Sequence, residues 1–298
     1  MRDVHTPVFL NEVLDIFNPQ PGQTYVDATV NGGGHTRALA DRVGNTGRVI
    51  GIDLDSKLIE KLNMRNEQEG RKNIELAHGN YADLGSILER FGYAHVNGIL
   101  FDLGFSSYHV DESGRGFSFL HDEPLDMRYD PTSYELTAEQ IINTWSEQAI
   151  ENVIRTLGQE RYSRRIASHI VAERKKKRIG TTMLLARIIR TSIPVRSMTR
   201  IHPATRTFQA LRIVVNDELG NIERAMGTAV EKLSPGGRLI VISFHSLEDR
   251  RIKHFFQKSK KEGLLAILTP KPLKPSIEEI TINPRARSAK LRAVYKTL

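Results

Sequence analysis

The chain predicts an α/β fold: a doubly wound, mostly parallel sheet interrupted by an inserted all-helical domain. Three observations predict it. Apolar strands alternate with amphipathic helices over the first third of the 298 residues. That alternation stops after Asp102, gives way to helical periodicity, and resumes near Ser234-Pro235-Gly236-Gly237. Between the first strand and its helix stands Asp27-Ala28-Thr29-Val30-Asn31-Gly32-Gly33-Gly34-His35, an acid-terminated strand running into three glycines.

The elements follow in order. Strands are expected at 25–30, 48–54, 73–78 and 97–102, and helices at 8–17, 35–43, 56–68 and 83–91. Such alternation implies parallel strands with right-handed crossovers. Residues 137–192 read as helices, with stripes such as Ile141, Ile142, Trp145 and Ile166, Ile170, Val171. One long helix is expected over 204–232, then a strong strand from Arg238 to Phe244. The tail reads as a hairpin whose arms are Ala266–Lys271 and Ala289–Lys296, with Pro270, Pro272, Pro275 and Pro284 between them.

The glycine run points to a ligand. Glycines remove the Cβ where the backbone turns, and the helix that follows offers N–H groups at its first turn. The second strand, Arg48 to Leu54, ends in two acids. An acid there takes the two hydroxyls of a ribose in doubly wound sheets, which makes Asp53 the candidate. Asp55 is either a second candidate or the N-cap of the next helix. Arg37 stands where a third fingerprint glycine would be, so a nucleoside ligand is favoured over a pyrophosphate-bearing dinucleotide.

Composition narrows the class. Hydrophobic content of 39% and charged content of 26% suit a globular protein. No run approaches the roughly 18 apolar residues of a membrane helix, and the N-terminus lacks the apolar core of a signal peptide. With no cysteine, disulfides, thiolate metal sites and a cysteine nucleophile are excluded, and a cytoplasmic location is expected. The ten histidines show no metal-ligand spacing, so no metal is expected. Between Arg155 and Arg212 stand 15 Lys/Arg against only Glu160 and Glu173. That segment carries +13 of a net +8, leaving −5 on the rest, the footprint of a polyanion partner. Ser243-Phe244-His245-Ser246 lacks the G-x-S-x-G elbow of a hydrolase.

The order of strands, acids and glycines resembles the class I S-adenosylmethionine methyltransferases, a Rossmann-like fold. Further blocks sharpen the likeness. They are His5-Thr6-Pro7-Val8, Asp102-Leu103-Gly104-Phe105-Ser106-Ser107, Arg115-Gly116-Phe117-Ser118-Phe119 and Pro124-Leu125-Asp126-Met127-Arg128. Later come the run from His202 to Arg212, Ser243 to Arg250, and Asn283-Pro284-Arg285-Ala286-Arg287-Ser288. Over essentially its whole length the chain is similar to the RsmH (MraW) family of bacterial small-subunit rRNA cytosine-N4 methyltransferases.

The resemblance implies methyl transfer from S-adenosylmethionine to the exocyclic N4 of a cytidine in the decoding region of 16S rRNA. It implies a discontinuous cofactor-binding domain, 1–107 and 213–298, and a helical substrate-recognition domain, 108–212. It places Gly33, Gly34 and His35 at the methionine end of the cofactor, Asp53 on the ribose, Tyr81 against adenine, and Asp102 and His109 beside the cofactor. Asp102 is also the candidate acceptor-side catalytic group. His35 is read either as a ligand contact or as a backbone cap, and Tyr81 as an adenine contact or a cover for the sheet edge. Arg206, Arg212, Arg285 and Arg287 are RNA-phosphate candidates by charge. The 16S rRNA of the small ribosomal subunit is the expected partner, without a membrane, and a homodimer is left open. The alternatives are a methyltransferase with a DNA or protein target, an NAD-dependent oxidoreductase and a non-catalytic RNA-binding protein.

Overall fold

Seven strands order themselves around two acid-ended hydrophobic segments. The computed structural model describes residues 7–103, 113–194 and 202–297. Helix α1 (Leu10–Phe17) leads to β1 (Thr24–Asp27), α2 (Gly34–Val43), β2 (Arg48–Asp53), α3 (Ser56–Gln68), β3 (Ile74–His78), α4 (Leu84–Arg90) and β4 (Val96–Asp102). A helical segment follows: α5 (Ala138–Thr144), α6 (Glu147–Thr156), α7 (Ser163–Arg174), α8 (Thr182–Ser192) and α9 (Thr205–Val215). Helix α10 (Glu218–Lys232) then leads to β5 (Leu233–Ser243), α11 (Ser246–Lys261), β6 (Leu265–Ile267), α12 (Ile277–Ile282) and β7 (Lys290–Lys296).

The sheet order is β3-β2-β1-β4-β5-β7-β6. Strands β1 to β5 run parallel, and β7 lies antiparallel between β5 and β6. From β1 the chain winds outward to β2 and β3, and from β4 the other way to β5. The crevice outside the carboxyl ends of β1 and β4 is therefore the topological switch point, where such sheets bind ligands. Strands covered on both faces read as near-continuous apolar runs, as in Ile99-Leu100-Phe101 and Leu239-Ile240-Val241-Ile242, all at most 1% exposed.

The chain divides into two compact units, 1–106 with 219–298, and 107–218. The first packs Val13, Phe17, Leu39, Leu100, Ile240 and Leu291 into one core. The second packs Ile141, Ile150, Ile166, Ile170, Leu185 and Phe208 into its own.

Three expectations change. β1 ends at Asp27 rather than at residue 30, because Ala28 and Val30 turn their N–H groups to Leu100 O and Ile52 O on either side. The single long helix is two, broken at Asn216 and Asp217, whose φ is 45°. The buried Asn216 side chain causes the break: its Oδ1 accepts the Tyr129 N–H (2.7 Å) and its Nδ2 donates to Met127 O (2.8 Å). This also carries the helical unit past the expected limit at 212. Finally, the hairpin arm at β6 is only three residues, and the proline-rich linker holds α12 and a 3-10 turn, Pro284–Ser288.

Gly98 in β4 tests how tightly the first core is fitted. A Cβ there would lie 2.6 Å from Tyr25 and 2.8 Å from Phe17, two rings already locked edge to face. Gly98→Ala is expected to cost about 1–3 kcal/mol through overpacking, read as a lower urea midpoint of the wild-type fold. An unchanged midpoint would mean the two rings move aside freely.

Candidate active site

The carboxyl ends of the parallel strands bring Asp27, Asp53, Asp102 and Ser243 to one rim. All four are buried, at 0%, 8%, 2% and 1% exposure. Burying ionisable groups is costly unless each is hydrogen-bonded. The loop after β1 bonds the side chains of Asp27 and Asp53 and the backbone of Asp102.

Asn31 is the joint of that loop. It takes a left-handed conformation, φ 50°, which asparagine tolerates better than most residues. Its N–H donates to Asp53 Oδ2 (2.9 Å), and its Nδ2 donates to Thr29 O (3.2 Å) and Asp102 O (3.4 Å). Thr29 Oγ1 accepts the Asp102 N–H at 2.6 Å. The ends of β2 and β4 are thus tied together across the end of β1. Sequence reasoning noticed neither Asn31 nor Thr29 as functional. The only signal available was a non-glycine residue opening a glycine run.

Asp53 accepts a second N–H, from Asp55, on Oδ1 at 2.9 Å. These two backbone donors help fix the carboxylate, an acceptor-only group with roughly four acceptor sites. Of the two readings of Asp55, the structure displays the N-cap. Asp55 caps α3, its Oδ1 accepting from the Lys57 and Leu58 N–H groups, while Asp53 faces the rim. Tyr81 follows β3 in a 3-10 turn, with its ring edge-to-face on Phe101 of β4 (5.6 Å between centroids).

Gly33 is the N-cap of α2 with φ 78°, and no side chain caps that helix. Gly34 has a different reason for being glycine. A Cβ there would meet the Pro7 ring at 2.8 Å, so the room is filled by the chain itself. His35 serves the same contact, with Nε2 3.0 Å from Val8 O and the proton therefore on Nε2. Its Nδ1 lies 3.8 Å from Asp102 Oδ2, beyond hydrogen-bond range. His35 thus fastens the Pro7-Val8 segment onto the first turn of α2, and of its two readings the backbone one is what the structure displays. His109 lies outside the described residues, as do Ser106 and Ser107.

The arginine candidates separate. Arg212 is a correction: it is 9% exposed and forks onto Glu218 at 2.6 and 3.1 Å, inside the helical unit. A guanidinium committed to a buried carboxylate is structural, because removing either partner strands a charge. Arg206 is exposed, donating to Gln159 O and lying 3.6 Å from Glu160. Arg285 and Arg287 are exposed in the turn before β7. In the basic run 174–178, Arg174 donates to Ile142 O, Lys176 pairs with Glu173 and Arg178 with Glu139. Arg155, Arg164, Arg165, Arg187 and Arg190 are exposed on α6, α7 and α8.

Asp27 carries an unusual proton. Its Oδ2 accepts from Thr36 Oγ1 at 2.6 Å. Burial pushes its carboxyl up from 3.8 to about 7, opposed by the Thr36 and Thr29 hydrogen bonds and assisted by the charge of Asp53. The native state therefore keeps this proton between about pH 4 and 7 while the unfolded chain releases it, so stability falls as pH rises through that window and levels above it. Asp27→Asn keeps the shape and removes the titration. Its urea midpoint is expected to gain on the wild type from pH 5 to pH 8, by an amount on the order of a few kcal/mol. Parallel profiles would contradict the assignment.

Comparison with known proteins identifies the family. The model of the MraW methylase family matches residues 2–297. A protein of Thermomicrobium roseum named ribosomal RNA small subunit methyltransferase H is 44% identical, over 99% of this chain and 94% of its own. A protein of the same name from Neorickettsia sennetsu is 45% identical over 98% and 96%. A crystal structure of a candidate rRNA methylase from Clostridium thermocellum superposes with a TM-score of 0.50 at 15% identity, covering 98% of both chains, which speaks for the fold alone. With the match spanning nearly every residue, from the Pro7 segment to β7, the chain belongs to the MraW methylase family.

Proposed function

We propose that the protein transfers a methyl group from S-adenosylmethionine to the exocyclic N4 of a cytidine in the decoding region of 16S rRNA. The observation that carries this reading is the extent of the family match, which covers the acid rim and the basic helical unit alike. The relatives' name supplies the small-subunit rRNA target. Among the described residues no helix is long and apolar enough to cross a membrane, and a ribosomal substrate puts the enzyme in the cytoplasm.

The rim suits this cofactor. A nucleoside needs an acceptor for its two ribose hydroxyls, and Asp53 is an acceptor-only group anchored by two backbone donors. The uncapped start of α2 supplies backbone N–H groups and a favourable dipole to a carboxylate. Tyr81 offers a ring face beside them. When bound, S-adenosylmethionine supplies a methyl group on a sulfonium whose departure leaves a neutral thioether, so no general acid is needed.

The difficulty lies with the nucleophile. The N4 lone pair of cytosine is delocalised into the ring, and the nitrogen must rehybridise as the new N–C bond forms. Asp102, at the end of β4 next to β1, is placed to accept a hydrogen bond from the amino N–H, holding the amine in line. As the bond forms the nitrogen must also lose a proton, and a carboxylate beside it stabilises the positive charge that precedes that loss. Thr29 and Asn31 are positioning residues, fixing the backbone of Asp102. The helical unit, with its exposed arginines on three helices, serves as the RNA-recognition domain.

The test is incubation with tritiated S-adenosylmethionine and small ribosomal subunits from a strain lacking the enzyme, followed by digestion to nucleosides. Label is expected in an N4-methylated cytidine. Label confined to another nucleoside, or none, would overturn the reading. Asp53→Ala is expected to weaken cofactor binding in calorimetry by at least about 1.5–3 kcal/mol, the worth of one charge-assisted hydrogen bond. Unchanged affinity would remove Asp53 from the site.

A further inference from the structure

A cavity of ≈ 400 Å³ opens beyond the carboxyl end of β5, bounded by the start of α11 and the turn before β7. Among the described residues its lining carries Lys274, Arg287 and Lys290, the hydroxyls of Ser246 and Ser288, and no carboxylate. All of it lies within the sheet-bearing unit. Lys290 pairs with Asp249 Oδ2 at 2.9 Å, but Asp249 also holds Arg292 on Oδ1 at 2.6 Å, so one carboxylate is shared by two cations. Lys274 and Arg287 are exposed and make no side-chain ion pair or hydrogen bond among the described residues. Glu248, the acid at the start of α11, is turned away into the helix, accepting the Phe244 and His245 N–H groups at 1% exposure. The cavity is therefore electropositive, hydroxyl-lined and open to solvent.

We propose that this cavity grips a backbone phosphate of the substrate RNA, with Lys274 and Arg287 as its contacts. The inference rests on the rRNA reading above and adds a site to it. An uncharged base would leave these cations unmatched, whereas a phosphodiester pairs with both and accepts from the hydroxyls. Position favours the same conclusion. Strand β5 neighbours β4, with Ile242 in register with Asp102, and the cavity opens from Phe244, two residues beyond Ile242, so it lies at the same carboxyl ends of the strands as Asp102. A phosphate flanking the target nucleotide would approach the protein on that side. A free inorganic phosphate shares the chemistry and is the other source to be tested.

The experiment compares the wild type, the double variant Lys274→Gln/Arg287→Gln, and Lys72→Gln. Lys72 is an exposed cation just before β3, at the opposite ends of the strands, and controls for the loss of charge alone. Binding of a labelled RNA oligonucleotide carrying the target cytidine is read across a salt series, with methylation of small subunits measured in parallel. In the double variant the slope of log affinity against log salt is expected to fall by about 0.7, the value for one single-strand phosphate. Its KM for subunits is expected to rise about tenfold, the lower end for a lost charge-assisted hydrogen bond. Its affinity for S-adenosylmethionine should equal that of the wild type. A slope and KM matching those of Lys72→Gln would overturn the proposal. So would tight binding of inorganic phosphate, followed by phosphorus resonance, with the RNA slope intact. Failure of the wild type itself to methylate subunits would instead refute the rRNA reading, and the binding series would still report on the cavity.

Discussion

The left-handed backbone of Asn31 is the constraint on which the rim depends. Holding a non-glycine residue there costs roughly 1–2 kcal/mol. The conformation is sustained by a hydrogen bond to the ionisable Asp53 and two side-chain bonds to backbone carbonyls. A bond to a charged partner contributes about 1.5–3 kcal/mol, which by itself offsets the strain. In return, strands β2 and β4, which do not touch one another, have their ends fixed at one spacing across β1. The spacing of Asp53 and Asp102 is thereby set through the backbone of the loop.

The same economy governs the start of α2. Gly33 adopts the turn, Gly34 makes room for Pro7, and His35 bonds the next carbonyl. The segment before α1 is thereby laid on the first turn of α2. Asp27, sealed beneath with Thr36, keeps the inner wall of the loop dry and hydrogen-bonded. The helical unit follows a different logic. Its interior is an apolar core that, among the described residues, holds the buried ion pair of Arg212 with Glu218, while Arg155, Arg164, Arg165, Arg187 and Arg190 stand exposed. Splitting the charge this way lets the sheet-bearing unit carry the acids that the chemistry needs.

Much of this was legible in the sequence. Strand alternation, the acids ending β1, β2 and β4, and the interruption after Asp102 are read from hydrophobic periodicity, which reports burial directly. What escaped were features made by side chains bonding across long sequence distances. Asn216 breaks a helix because its amide bonds residues near 128, and no local pattern announces that. Arg212 looked like a surface charge because its periodicity gives no hint of Glu218 folding back onto it. That Gly34 leaves room for Pro7 is packing between segments 27 residues apart, which no local pattern announces. The cationic cavity joins Lys274 to Arg287 and Lys290 across a proline-rich linker, a meeting that only the folded chain reveals.

The most direct test of the account is a crystal structure of the protein with S-adenosylhomocysteine. The account predicts the nucleoside in the crevice between β1 and β4, with its ribose hydroxyls on the Asp53 carboxylate and its amino-acid end at the start of α2. A ligand bound elsewhere, or a ribose held by Asp55 with no contact to Asp53, would contradict it.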